Sequence, residues 1–260
     1  MVNGFQRFIE YFKDYQDQFV IIGGYACTLH YVEKGMQFRQ THDLDIALVI
    51  ENMSSEFYRE LWCYLKEGEY GAALHASIHH HYYRFETNKN MDYPKIIELL
   101  SRKAFDLDAH LSQHITPIHI DEDIRSLSAI VLDDEYYHLI RMNQVSIRGI
   151  SVLSIEFIVI LKIKAFLDLR ELRVKGIDIK SSQVRKHRTD VMRIVREMVL
   201  VEVSDQLSIP VKNDIHNYVQ IIQMDLKEKV NLGFDSSVVN RILNRISQVY
   251  LGVEINTPQS

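Results

Sequence analysis

Two aspartates one residue apart, Asp43 and Asp45, stand at the head of the apolar run Ile46-Ala47-Leu48-Val49-Ile50. Such a run predicts a β-strand, and residues two apart on a strand share a face. The two carboxylates therefore point the same way, and they repel unless a cation or a proton lies between them. Aspartate is depleted from strands, so a pair beside a buried run needs a reason. Hard oxygen donors on one side of a scaffold suit Mg²⁺, which takes one or two carboxylates together with substrate phosphates. Upstream, the run Phe19-Val20-Ile21-Ile22 stops at Gly23-Gly24. Glycines at that point let backbone N–H groups come close to the same phosphates.

A third carboxylate, Glu98, interrupts the run Ile96-Ile97-Glu98-Leu99-Leu100 and shares a face with Ile96 and Leu100. A buried carboxylate without a partner is costly. Glu98 therefore either joins the two aspartates or sits in a salt bridge with Arg84 or Arg102. Lys162 and Lys164 fall on a long helical pattern, where residues two apart project about 200° from each other and cannot both face one phosphate. Lys186 and Asp190 are i and i+4 on the next helical stretch and can meet. They serve either a site or an ordinary helix ion pair. His75, His79, His80 and His81 cluster in sequence, but a β pattern sends alternate histidines to opposite faces, and no Cys or acid stands at ligand spacing. With Tyr82 and Tyr83 they suit a surface that contacts phosphates or stacks on bases. There is no Gly-x-Ser-x-Gly elbow, no lysine-containing phosphate loop and no dinucleotide glycine motif.

The Gly23-Gly24 turn followed by Asp43-x-Asp45 resembles the nucleotidyltransferase superfamily of the DNA polymerase β type. The form Arg39-x-Thr41-x-Asp43-Leu44-Asp45 resembles its AbiEii-type branch, the toxins of type IV toxin–antitoxin systems. Eighteen residues, 25 to 42, separate Gly24 from Asp43, so the helix and loop between them are longer than in the shortest members. The resemblance implies a Mg²⁺-dependent transfer of a nucleoside monophosphate from an NTP, such as ATP, with two metal ions possible. In that scheme Asp43, Asp45 and Glu98 hold metal. Glu98 alternatively activates the acceptor hydroxyl. Gly23, Gly24, Thr41 and Lys186 bind the nucleotide. Lys162 or Lys164, with Asp190, completes the catalytic set: Leu161-Lys162-Ile163-Lys164-Ala165 and Lys186-His187-Arg188-Thr189-Asp190 resemble the later motifs. The implied acceptor is the 3′ end of tRNA, or else a protein, and the implied partner is a cognate antitoxin. A small-molecule transferase of the aminoglycoside type is the enzyme alternative. A nucleotide- or RNA-binding module of the same fold without catalysis is the non-enzyme one.

The elements that must hold these residues follow from periodicity. Residues 3–16 carry Phe5, Phe8, Ile9 and Phe12 at helical spacing. A strand over 19–22, a glycine turn, a helix over 25–33, a strand over 43–50 and a helix from Ser54 or Ser55 to about Glu67 follow. Strands are expected over 72–87, 94–101, 118–120, 129–132 and 145–153, and a helix over 133–142. From Ser154 the pattern turns helical: 155–173, a stretch capped by Ser182, 211–227 and 236–252. This order predicts an α/β (α+β) fold, a polymerase β-like core with a mixed sheet over 1–153 and a helical domain over 154–260.

Composition fits that reading. With 260 residues and 47% hydrophobic residues the chain can bury a real core. No run of 18 apolar residues crosses a membrane, and the N-terminus has no apolar signal region, so a cytoplasmic protein is expected. Cys27 and Cys63 are expected in the core rather than in a disulfide. The net charge of −5 argues against a protein that coats nucleic acid indiscriminately. Residues 162–196, however, hold eleven Lys or Arg against four acids, a local balance of +7. That block suits a polyanionic substrate, or else forms a solvated helix face.

Overall fold

The structure is a computed structural model and describes residues 4–74, 82–87, 89, 90, 92–102 and 130–253. It divides into two units, Met1–Ile158 and Val159–Ser260. In the first, α1 (Phe5–Phe12), β1 (Phe19–Ile21), α2 (Gly23–Glu33), β2 (Asp43–Leu48), α3 (Ser55–Glu67), β3 (Gly71–Leu74), β4 (Tyr82–Glu86) and β5 (Ile96–Ser101) come in order. Then follow α4 (Asp134–Met142), β6 (Gln144–Ile147) and β7 (Ile150–Leu153). The described strands form one mixed sheet in the order β3-β4-β5-β2-β1-β7-β6, so β2 is its middle strand. The fold is α/β with a mixed sheet, as the element order predicts.

One face of the sheet is built by aromatic packing. Phe5, Phe8 and Phe12 are the buried stripe of α1. The Phe19 ring of β1 lies edge-on to Phe8 and Phe12 at 5.6 and 6.0 Å, and stacks on Phe57 of α3 at 6.1 Å. Phe19 pairs with Leu48 and Ile21 with Ile46, so these residues share the face covered by α1 and α3. Ser54 caps α3: its hydroxyl accepts from the Phe57 N–H at 3.2 Å, while its own N–H donates to Gln18 Oε1 at 2.8 Å. The second bond ties the start of α3 to the residue before β1.

Several local expectations change. α2 begins at Gly23 rather than at Tyr25, so the glycines are its first turn. Residues 145–153 form a hairpin and not one strand. Its two-residue turn, Arg148-Gly149, has positive φ at both positions, 55° and 77°, the I′ geometry that matches strand twist. Residues 130–132, expected as strand, are helical. Cys63 is exposed, while Cys27 is buried as expected. Tyr82 and Tyr83 are each 1% exposed, so neither ring offers a face to a base. The histidines 75, 79, 80 and 81 and the strand expected at 118–120 lie outside the described residues.

The regular elements described in the second unit are all helices. The division falls within α5 (Ile155–Val174), and α6 (Ser181–Glu197), α7 (Ile209–Lys227) and α8 (Ser236–Leu251) follow, with a short 3-10 turn at Ser204–Gln206. Ser182 is not the cap of α6. The helix starts one residue earlier, and Gln183 Oε1 accepts from the Lys180 N–H at 3.1 Å. Val191, Ile194 and Val195 of α6, Ile215 and Ile222 of α7 and Ile246 of α8 have no exposed surface. Phe166 of α5 meets Tyr218 of α7 edge-on at 5.2 Å. Among the described residues no helix is long and apolar enough to cross a membrane.

Candidate functional site

The site of the first unit follows from strand direction. β1 and β2 are antiparallel, with Ile21 opposite Ile46. The end of β1 therefore lies beside the start of β2, and the Ile22 N–H donates to the Asp45 carbonyl at 3.0 Å. This carries Gly23 directly to Asp45. Gly23 has φ +69°, and a Cβ added to it would overlap Asp45 Oδ2. A Cβ on Gly24 would meet Thr41 Oγ1 at 2.9 Å and come within 3.6 Å of the Arg39 guanidinium. Ile22 gives α2 no side-chain cap. The first N–H groups of a helix have no intrahelical acceptor and favour anions. Gly23, Gly24, Thr41 and Asp45, chosen on sequence grounds, are thus brought together.

On its other side β2 runs parallel to β5, with Asp45 opposite Glu98. β5 in turn is antiparallel to β4, with Glu98 opposite Arg84. Residues directly opposite share a face, so Asp45, Glu98 and Arg84 form one row across three strands. Asp43, two residues from Asp45, lies on the same face. Asp45 is 9% exposed and Glu98 3%. Arg84 donates to Glu98 Oε1 at 2.6 Å and, through Nε, to Glu86 Oε1 at 2.8 Å. Of the two sequence alternatives for Glu98, the structure contains both: it lies beside Asp45 and is bound by Arg84. Arg102 instead pairs with Asp134.

Burial pushes the Glu98 carboxyl well above the usual carboxylate range, and the neighbouring Asp45 and Asp43 push it further. Arg84 opposes them without cancelling them. Folding thus gives Glu98 a proton affinity that the unfolded chain lacks. The folded state binds that proton from the ordinary carboxylate range upward in pH, so this group costs stability as pH rises towards its folded value. Glu98→Gln removes the effect. In metal-free buffer we expect the melting temperature of wild type to fall between about pH 5 and about pH 8 more steeply than that of Glu98→Gln. Parallel slopes would contradict this origin of the shift.

The donor set is all oxygen, and the two acids of β2 fit a hard divalent cation. Glu98 comes with a guanidinium attached. Among the described residues no three or more His, Cys, Asp or Glu are gathered into a metal-holding group.

The lysines expected in the site, Lys162, Lys164 and Lys186, belong to the second unit, and the first two have acidic partners there. Lys162 Nζ lies 2.7 Å from Asp190 Oδ2, and the two residues are 5% and 2% exposed. Lys162 thus reaches Asp190 from another helix, a partner that the spacing of Lys186 and Asp190 on their own helix did not suggest. Lys164 pairs with Asp168 at 2.9 Å and Asp214 at 3.6 Å. The two lysines do diverge, one towards α6 and the other towards α7. Arg170 and Arg188 share the buried Asp225 at 3.5 and 3.7 Å. Much of the basic block is therefore balanced by acids within its own unit. Arg84 is the residue that sequence reasoning ranked too low. It appeared only as a possible partner of Glu98, and only strand register shows it in the row.

No protein-family model matches the chain, and no curated protein matches it. Among solved structures it is similar to an antigenic nucleotidyltransferase-like protein from Paracoccidioides brasiliensis. The identity is 15% and the TM-score 0.44, over 91% of this chain and 96% of that one.

Proposed function

We propose that the protein is a nucleotidyltransferase that moves a nucleoside monophosphate from an NTP to an acceptor hydroxyl. The observation that carries this reading is the seating of Gly23-Gly24, the uncapped start of α2, directly against Asp45 and Thr41. An anion-binding backbone turn in van der Waals reach of Asp45, with Asp43 on the same strand face, is what a metal-bound triphosphate needs. Asp43 and Asp45 would hold Mg²⁺, which supplies charge neutralisation for the phosphates when bound. The N–H groups at Gly23 and Gly24 bind non-bridging phosphate oxygens, and Thr41 supports them. The acceptor oxygen bonds to the α-phosphorus as the bond from that phosphorus to the α,β-bridging oxygen breaks. Pyrophosphate leaves, and the acceptor proton passes to the ionised form of Glu98, the carboxylate opposite Asp45.

The resemblance of Arg39-x-Thr41-x-Asp43-Leu44-Asp45 supports a finer proposal. The acceptor is the 3′ end of tRNA, the protein acts as a toxin, and a separate antitoxin relieves it. The test incubates the full chain with each labelled NTP, Mg²⁺ and total tRNA. Label should enter RNA with one preferred NTP, and Asp45→Asn should lower the rate at least about 10³-fold, the scale of losing a principal electrostatic group. Label in added protein or aminoglycoside instead would redirect the acceptor. Mg²⁺-dependent thermal stabilisation by NTP without any transfer would mark a binding module. Absence of both transfer and stabilisation would end the reading. Growth arrest on overexpression, lost in Asp45→Asn, is expected of the toxin.

A further inference from the structure

The row of charges across β2, β5 and β4 has an unusual member. Asp43, Asp45 and Glu98 bring three acids to one face. Arg84 adds a positive charge within 2.6 Å of Glu98. Arg84 already fills one oxygen of Glu98, the place that a second cation would need. Arg84 is also fixed in place. Its Nε and Nη2 both reach Glu86 Oε1, at 2.8 and 2.7 Å, which aims Nη1 at Glu98. The Glu86 side chain is 41% exposed, so water screens its charge, while that of Glu98 is 4% exposed and feels Arg84 in full.

We propose that Arg84 is a positioning residue that takes the place of a second metal ion, so that this centre binds a single divalent cation. The proposal rests on the transferase reading of the same residues. Anchored by Glu86, the guanidinium occupies one oxygen of Glu98 and holds that carboxylate in line with Asp45. It also repels any cation that approaches Glu98 from that side. An incoming Mg²⁺ is thereby directed to the Asp43–Asp45 side of the row. Arginine suits the task because it stays charged and its planar fork fixes direction, which a lysine ammonium does less well.

The test is direct Mn²⁺ binding to the full chain without nucleotide, followed by calorimetry and by the paramagnetic signal of free Mn²⁺. Wild type should bind one Mn²⁺ that Asp45→Asn loses. Arg84→Gln should bind a second ion, or the first at least about tenfold more tightly, because a fixed like charge near the site is gone. Arg84→Lys, which keeps the charge, should return the count to one, a rescue that a merely structural role would not produce. Unchanged number and affinity in Arg84→Gln would overturn the proposal while leaving the transferase reading in place. Two ions in wild type would do the same. Mn²⁺ binding that Asp45→Asn does not reduce, or no binding in any variant, would overturn both. If Arg84→Gln does not fold, Glu86→Gln carries the test. With the anchor gone the guanidinium is no longer held against Glu98, so Mn²⁺ should bind more tightly or at a second site; unchanged binding would refute the idea.

Discussion

Gly23→Ala should sharply lower the proposed nucleotidyl transfer and destabilise the fold, for two separable reasons. The backbone at Gly23 has φ +69°, which costs an L-residue about 1–2 kcal/mol. In addition, the new Cβ would overlap Asp45 Oδ2, so Asp45 must turn away or α2 must back off. Displacement of about 1 Å at a reacting centre costs roughly 10²-fold in rate. Gly35→Ala is the control. Its φ is +68°, yet a Cβ there meets nothing within 4 Å. Thermal melts and labelled-NTP turnover of both variants separate strain from collision. Gly35→Ala should lose a few degrees, about 2–4 °C per kcal/mol for a chain of this size, and keep its activity. Gly23→Ala should lose more stability and at least about 10²-fold in rate. Equal behaviour of the two would mean that the approach of Gly23 to Asp45 has no functional content.

The second large effect lies in the helical unit. Lys162 and Asp190 are buried together at 2.7 Å. Removing one partner leaves an uncompensated charge in the core, which costs about 3–5 kcal/mol. Lys162→Met and Asp190→Leu should each show that loss in urea unfolding. The double variant should recover most of it, because apolar replacement of a whole buried pair is close to neutral. Lys164→Ala should cost under about 1 kcal/mol, since its ion pairs are partly solvated. The stable double variant then decides function: retained transfer makes the pair structural, and lost transfer gives Lys162 or Asp190 a place in the chemistry. Losses that simply add in the double variant would refute the pairing.

Period-two alternation and glycine placement made much of the first unit readable. Phe19–Ile21 and Asp43–Leu48 are strands as expected, and Gly68 ends α3 where the reading put it. Asp43 and Asp45 could be placed on one face from spacing alone. Strand direction could not be read, because an apolar run looks the same from either end. The antiparallel β1–β2 pair and the parallel β2–β5 pair are long-range facts, and they alone bring Gly23 and Glu98 to opposite sides of Asp45. Arg84 was hidden for the same reason: fourteen residues from Glu98 in sequence, it is its direct neighbour across a strand pair. In the helical part, i, i+4 spacing suggested Lys186 for Asp190. Spacing along one helix says nothing of a partner on another: Asp190 is buried, and Lys162 reaches it from α5.

The Ile22 N–H, which donates to the Asp45 carbonyl, has a consequence for deuterium exchange. Edge strands fray and exchange through small openings, whereas this bond continues the β1–β2 pair at the middle of the sheet and is shielded from such fraying. Its amide should therefore be among the slowest of the first unit to take up deuterium. Its protection would then serve as a clock for the unit as a whole, set by global unfolding rather than by local breathing near Asp45.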